Sequence, residues 1–267
     1  MAAQTASLLS HPAPAGGQNR MAYIDTAGHV AFEGGPETAV LSLGALPDAR
    51  ILTDGSDRLL LLAGATTRYA HGALGDTLEA GAIVLLDMRE TPTVASTIVI
   101  QGGGIVEGIS PIWADLDGDG TRDIVVTVSD PAVGARIVVY DETGQVAAEG
   151  PTVGAGFRWR HQLAVAPFGP SGETELAVML TPHIGGNVEF YRMRGDTLEI
   201  VARLPGPTSH VNGSRNLDMA LAGDLDGDGR HGVARPIEGA HRADRCAQDG
   251  LRRGGGVVGR GGRARND

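Results

Sequence analysis

Residues 112–130 read Ile112-Trp-Ala-Asp115-Leu-Asp117-Gly-Asp119-Gly120-Thr121-Arg-Asp123-Ile-Val-Val-Thr-Val-Ser-Asp130. A short apolar stretch leads into a loop of carboxylates and glycines, and a β-branched run of strand type leaves it. Counted from Asp115, carboxylates stand at positions 1, 3, 5 and 9, with Gly120 at position 6. Hard oxygen donors at this density suit Ca2+, which takes roughly six to eight oxygens. Asp115, Asp117, Asp119 and Asp123 are the candidate ligands, with the Thr121 carbonyl and water completing the shell. Without a cation, carboxylates so close together repel one another. An EF-hand loop has the same first half, but it needs a bidentate Glu at about position 12 and flanking helices. Position 12 here is Val126, inside the β-branched run. The other alternative is a tight Asp/Gly turn without metal.

The pattern recurs. Ala164-Val-Ala-Pro-Phe-Gly-Pro-Ser-Gly-Glu-Thr-Glu175 and Ala220-Leu-Ala-Gly-Asp224-Leu-Asp226-Gly-Asp228-Gly229 align with it without gaps, and residues 50–64 form a degenerate copy. Asp224, Asp226 and Asp228 repeat the first three carboxylates, but position 9 is Gly232, so this second site is expected to be weaker. The middle copy has Pro167, Gly169 and Ser171 at those positions and is expected to keep the turn without metal. The second half of the unit also repeats: residues 23–34 (YIDTAGHVAFEG) match residues 139–150 (VYDETGQVAAEG). The chain therefore starts, on this reading, in the second half of a unit. Four short strands per unit of about 54 residues is the signature of a propeller blade. The expected fold is an all-β, partial β-propeller of about 3.5–4 four-stranded blades over residues 19–232.

The motif apolar–D-x-D-G-D-G-x-x-D–apolar, repeated at this period, resembles the FG-GAP/VCBS repeats of integrin-α-type β-propellers. The resemblance is strong at Asp115–Asp123, partial at Asp224–Gly229 and weak elsewhere. It implies that the loop joins the first two strands of a blade and that its Ca2+ is structural. It further implies a non-enzymatic interaction or adhesion module outside the cytoplasm, monomeric, with a protein or polysaccharide ligand on one propeller face. A polysaccharide lyase or hydrolase on the same scaffold is the rival reading, and acidic or His side chains converging at the axis would distinguish it.

Composition frames these readings. The 267 residues include 41 Gly, which favours a turn-dense chain. With a net charge of −10 and no basic patch in the main body, nucleic acid is not an expected partner. No apolar run approaches the roughly 20 residues of a membrane span. The N-terminus has no positively charged leader region, and residues 1–18 read as disordered. A single Cys246 excludes an intramolecular disulfide framework. From residue 230 the chain becomes rich in Arg and Gly and loses strand alternation. Residues 233–267 read either as a disordered basic tail or as out-of-frame translation of a truncated gene.

Three smaller features complete the reading. Arg194-Gly195-Asp196 falls at an expected hairpin turn, where Gly-Asp is an ordinary pair. His161, beside Arg158, Trp159 and Arg160, either lines a binding face or packs inside. His71, His183 and His210 show no metal-type spacing, and no nucleophile-elbow, P-loop or dinucleotide fingerprint is present.

Overall fold

The computed structural model describes residues 7, 9–16, 20–35, 39–69, 71–183, 186–205, 208–217, 220–225, 227, 229–237 and 240–246. Among them there is no helix. The strands β1 (Ala13–Pro14), β2 (Met21–Ile24), β3 (His29–Glu33) and β4 (Val40–Ser42) form an antiparallel sheet in chain order. Three more four-stranded meanders follow. The second comprises β5 (Leu52–Thr53), β6 (Arg58–Thr66), β7 (Glu79–Asp87) and β8 (Thr93–Val99). After the short β9 (Ile105–Val106), the third comprises β10 (Ile112–Ala114), β11 (Asp123–Asp130), β12 (Gly134–Tyr140) and β13 (Val146–Glu149). The fourth comprises β14 (Arg160–Ala166), β15 (Glu175–Leu180), β16 (Asn187–Arg194) and β17 (Thr197–Pro205). A last sheet contains β18 (Leu221–Gly223), β19 (Gly232–Ile237) and β20 (Ala240–Cys246).

The meanders are stitched to one another by small pairings. β9 touches β7 through Ala80↔Val106 and β11 through Val128↔Val106, joining the second and third units. A single parallel pair, Glu149↔Thr197, joins the third and fourth. Residue type explains the burial within each unit. Inner strands such as β7 and β11 are continuous apolar runs buried on both faces. Outer strands such as β17 alternate buried with exposed, as a sheet with one wet face requires. The largest apolar cluster spans the first three units and contains Phe32, Leu59–Leu62, Ile83, Ile124 and Val126.

The repeat is visible in register. Ala114 pairs with Asp123, Ala166 with Glu175 and Gly223 with Gly232, so all three copies of the first turn close at the same spacing. The matched hairpin turns are also equivalent. Asp25 Oδ1 accepts hydrogen bonds from the N–H groups of Ala27 and His29, and Asp141 Oδ1 accepts from those of Thr143 and Gln145. Gly28 and Gly144, at φ 77° and 94°, supply the left-handed residue each turn needs.

The ends differ from the sequence expectation. The N-terminal unit has four strands instead of half a unit, because β1 and β4 flank the matched hairpin. β1 lies within residues 1–18, where Ala13 and Ala15 are small enough to be buried beside the sheet. At the other end, strand pairing runs through the boundary expected at residue 232 as far as Cys246. Residues 247–267 lie outside the described residues. Among the described residues the sheets do not close into a ring or barrel.

Candidate metal centre

The turn between β10 and β11 is built by the carboxylates of its own loop. Asp115 Oδ1 accepts the Gly118 N–H at 2.7 Å and its Oδ2 accepts the Gly120 N–H at 3.0 Å. Both glycines are left-handed, at φ 83° and 88°, so a side chain at either would be strained. Asp117 Oδ1 accepts the Asp119 N–H at 3.0 Å. Asp123, the first residue of β11, is buried and accepts the Leu116 N–H at 2.9 Å, which folds the loop back onto the strand.

This folding brings one oxygen each from Asp115, Asp117 and Asp123 within 4.8 Å of one another. The three range from buried Asp123 through half-buried Asp115 to exposed Asp117, so the cluster opens to solvent on one side. Burial pushes the Asp123 carboxyl above its ordinary value. The Leu116 N–H opposes that shift, and the charges of Asp117, Asp119 and Asp115 add to it. Asp119 stands outside the trio. Its Oδ1 accepts from the Thr121 N–H at 2.7 Å and the Thr121 hydroxyl at 2.6 Å, and these bonds lower its carboxyl instead. Thr121 thus serves the loop through its N–H and hydroxyl.

The related turns neutralise their carboxylates differently. In the degenerate copy, Arg58 occupies the place of Asp123. Its guanidinium binds Asp54 at 2.7 Å and also reaches Glu142, and the Asp54 carboxyl is held down to about 2 against the effect of burial. In the middle copy, the fully buried Glu175 takes the place of Asp123 and is met by Arg192, which also pairs with Glu173 at 3.5 Å. Among the described residues no Arg or His forms an ion pair with Asp115, Asp117 or Asp123. In the last copy Asp224 accepts the Gly227 N–H at 2.8 Å and the Gly229 N–H at 3.0 Å, reproducing the bonds of Asp115. Asp226 and Asp228 lie outside the described residues.

The remaining candidates separate cleanly. Arg194-Gly195-Asp196 is an exposed hairpin turn between β16 and β17, with Gly195 at φ 59°. His161 packs inside: it stacks on Trp159 at 5.3 Å, hydrogen-bonds Ser209 Oγ and is pushed by burial down to about 3. Arg160 is equally committed, its Nε donating to the buried Glu189 at 3.2 Å. What spacing did not reveal is that His71, His183 and His210 converge although they come from separate units. Their common signal is positional, since each sits in a connection at the same end of its unit.

No protein-family model matches the chain, and no curated protein matches it. Among the described residues no helix is long and apolar enough to cross a membrane.

Proposed function

We propose that the chain is a Ca2+-binding repeat module of propeller type, akin to FG-GAP/VCBS proteins, which binds a protein or polysaccharide partner outside the cytoplasm as a monomer. Its Ca2+ is structural and is held by Asp115, Asp117 and Asp123, with Asp119 and the Thr121 carbonyl as further ligands after local adjustment. The Asp224 loop is a second, weaker position. The observation that carries this reading is the contrast among copies. Two turns carry an arginine against their acids, whereas the Asp115 turn gathers three carboxylate oxygens that no arginine or histidine pairs with among the described residues, its own Arg122 lying over Trp113 instead. A mobile divalent cation is the missing counter-charge, and a cluster of hard oxygens selects Ca2+.

Thermal unfolding in Ca2+ and in chelator tests it. At ten times the dissociation constant, the ion contributes about 1.4 kcal/mol. That corresponds to a rise in melting temperature of about 2–4 °C for a chain of this size. Asp117→Asn, which keeps the one oxygen that accepts the Asp119 N–H, should abolish the rise, while leaving the melting temperature in chelator equal to or above that of the wild type. Identical melting of the wild type in Ca2+ and in chelator would overturn the reading.

A second reading, a polysaccharide-cleaving enzyme on the same scaffold, is favoured by one observation. His71 and the buried Glu107 form a hydrogen-bonded pair beside two further histidines, the kind of pair that serves as general base.

A further inference from the structure

The approaches to the first strands of four successive units meet around one cavity of about 200 Å3. Arg50 stands just before β5, Ser110 just before β10, Trp159 just before β14, and Leu217 and Ala220 ahead of β18. The repeat thus sets equivalent positions of different units side by side, although they are far apart in the chain.

The walls of this cavity are tied to one another. The Arg50 N–H donates to the Ile109 carbonyl at 2.9 Å, and Gln162 Nε2 donates to the Ser110 carbonyl at 3.0 Å. Gln162 Oε1 accepts from the Thr127 hydroxyl at 2.7 Å, and the Ser110 hydroxyl donates to the Pro111 carbonyl at 3.0 Å. A site held in this way is formed before a ligand arrives, which lowers the cost of binding.

The chemistry of the lining is one-sided. Trp159 is only 1% exposed, and its Nε1, a group that can only donate, is buried without a partner among the described residues. A buried donor left unmade is costly, and it marks a place where an acceptor from outside the chain belongs. Arg50 also only donates, and its guanidinium carries more N–H groups than a single carboxylate can take up. Burial and then the neighbouring His210 push His161 down to about 3, so its ring, held to Ser209 Oγ at 3.1 Å, is neutral. The charge on the lining is therefore that of Arg50, and among the described residues no Asp or Glu lines the cavity, in a chain of net charge −10. Ile112, Leu163 and Leu217 complete the wall with apolar surface.

We propose that this cavity binds a small organic carboxylate. Its oxygens accept from Trp159 Nε1 and the Arg50 guanidinium, and its apolar body lies against Ile112, Leu163 and Leu217. Bonds from a guanidinium to a carboxylate are charge-assisted and stronger than neutral ones, so the anion is preferred over an uncharged ligand of the same shape. The volume is the room of about six or seven waters, which admits one ring or a short branched chain and excludes an oligosaccharide. The site shares no residue with the Asp115 turn and needs no Ca2+.

The test is titration of isotope-labelled, full-length protein with benzoate and with isovalerate, followed by two-dimensional NMR. The chain has two tryptophans, so two indole N–H signals arise, and the Trp113→Phe variant identifies that of Trp159. The expected result is a saturable shift of the Trp159 signal by at least one of the two acids, with a dissociation constant below about 1 mM, in Ca2+ and in chelator alike. The matching amide, benzamide or isovaleramide, should bind at least about tenfold more weakly, and Arg50→Gln should bring the acid down to the level of its amide. A Trp159 signal that neither acid moves, or equal affinity for an acid and its amide, would overturn the proposal. Should Arg50→Gln fail to fold, the comparison of acid with amide on the wild type decides. Because the readout is at Trp159 and is taken with and without Ca2+, failure here is distinguishable from failure of the Ca2+ reading.

Discussion

At Asp123, burial and like charge act in the same direction, and both disfavour the carboxylate. A carboxyl raised in the folded state binds more protons there than in the unfolded chain, so stability falls as pH rises from the unfolded value through the folded one. In chelator, Asp123→Asn should therefore melt above the wild type once the pH exceeds this window, and added Ca2+ should reverse that order. Melting curves across the acid range check both signs. Glu79 carries the same logic further: burial and then the charge of Glu107 push it up to about 9, so stability should decline from pH 5 to 9. Glu79→Gln should flatten that decline and raise the melting temperature at pH 8; a variant with an unchanged slope would refute the assignment. The carboxylates that gather at Asp115, Asp117 and Asp123 were legible in the sequence because one loop holds them. The position of Asp119 was not, since spacing cannot show that its carboxylate is engaged by the Thr121 N–H and hydroxyl.

At the scale of the element, one turn appears in copies with different counter-charges. Arg192 serves the middle copy from the neighbouring strand, and its removal takes the counter-charge from the fully buried Glu175. Arg192→Leu should cost about 2–3 kcal/mol, below the range of roughly 3–5 for a fully buried pair because Arg192 is partly exposed. Ca2+ should not restore the loss. Urea denaturation with and without Ca2+ measures it, and a cost under about 0.5 kcal/mol would place Arg192 among ordinary surface ion pairs. The turns themselves were legible: the Asp25 and Asp141 hairpins share sequence and hydrogen bonds alike. β1 and β9 were not, because two-residue strands carry no periodicity to read, whereas β5 falls within the degenerate copy at residues 50–64. Nor does the sequence alone explain why pairing persists to Cys246 in a stretch rich in Arg.

At the scale of the molecule, the units are held by contacts no local pattern encodes. Arg215, after the fourth unit, reaches Asp48, in the connection from the first unit to the second, at 2.9 Å and also Asp76, within the second. The Gly213 N–H donates to the Ala73 carbonyl in the same region, and Trp159 packs there with Ala73, Leu74 and Ile109. Arg215→Met should cost only about 1 kcal/mol, as a partly exposed pair does. It should nonetheless speed amide hydrogen exchange across residues 208–217, and unchanged exchange would show that apolar packing alone holds the segment. The same long-range assembly gathers the three histidines, which is why their spacing in the chain predicted nothing. The most direct trial of the whole account is diffraction from crystals grown with Ca2+. It should reveal an ion roughly 2.3–2.6 Å from oxygens of Asp115, Asp117 and Asp123; water alone at that position, with the three carboxylates turned apart, would contradict it.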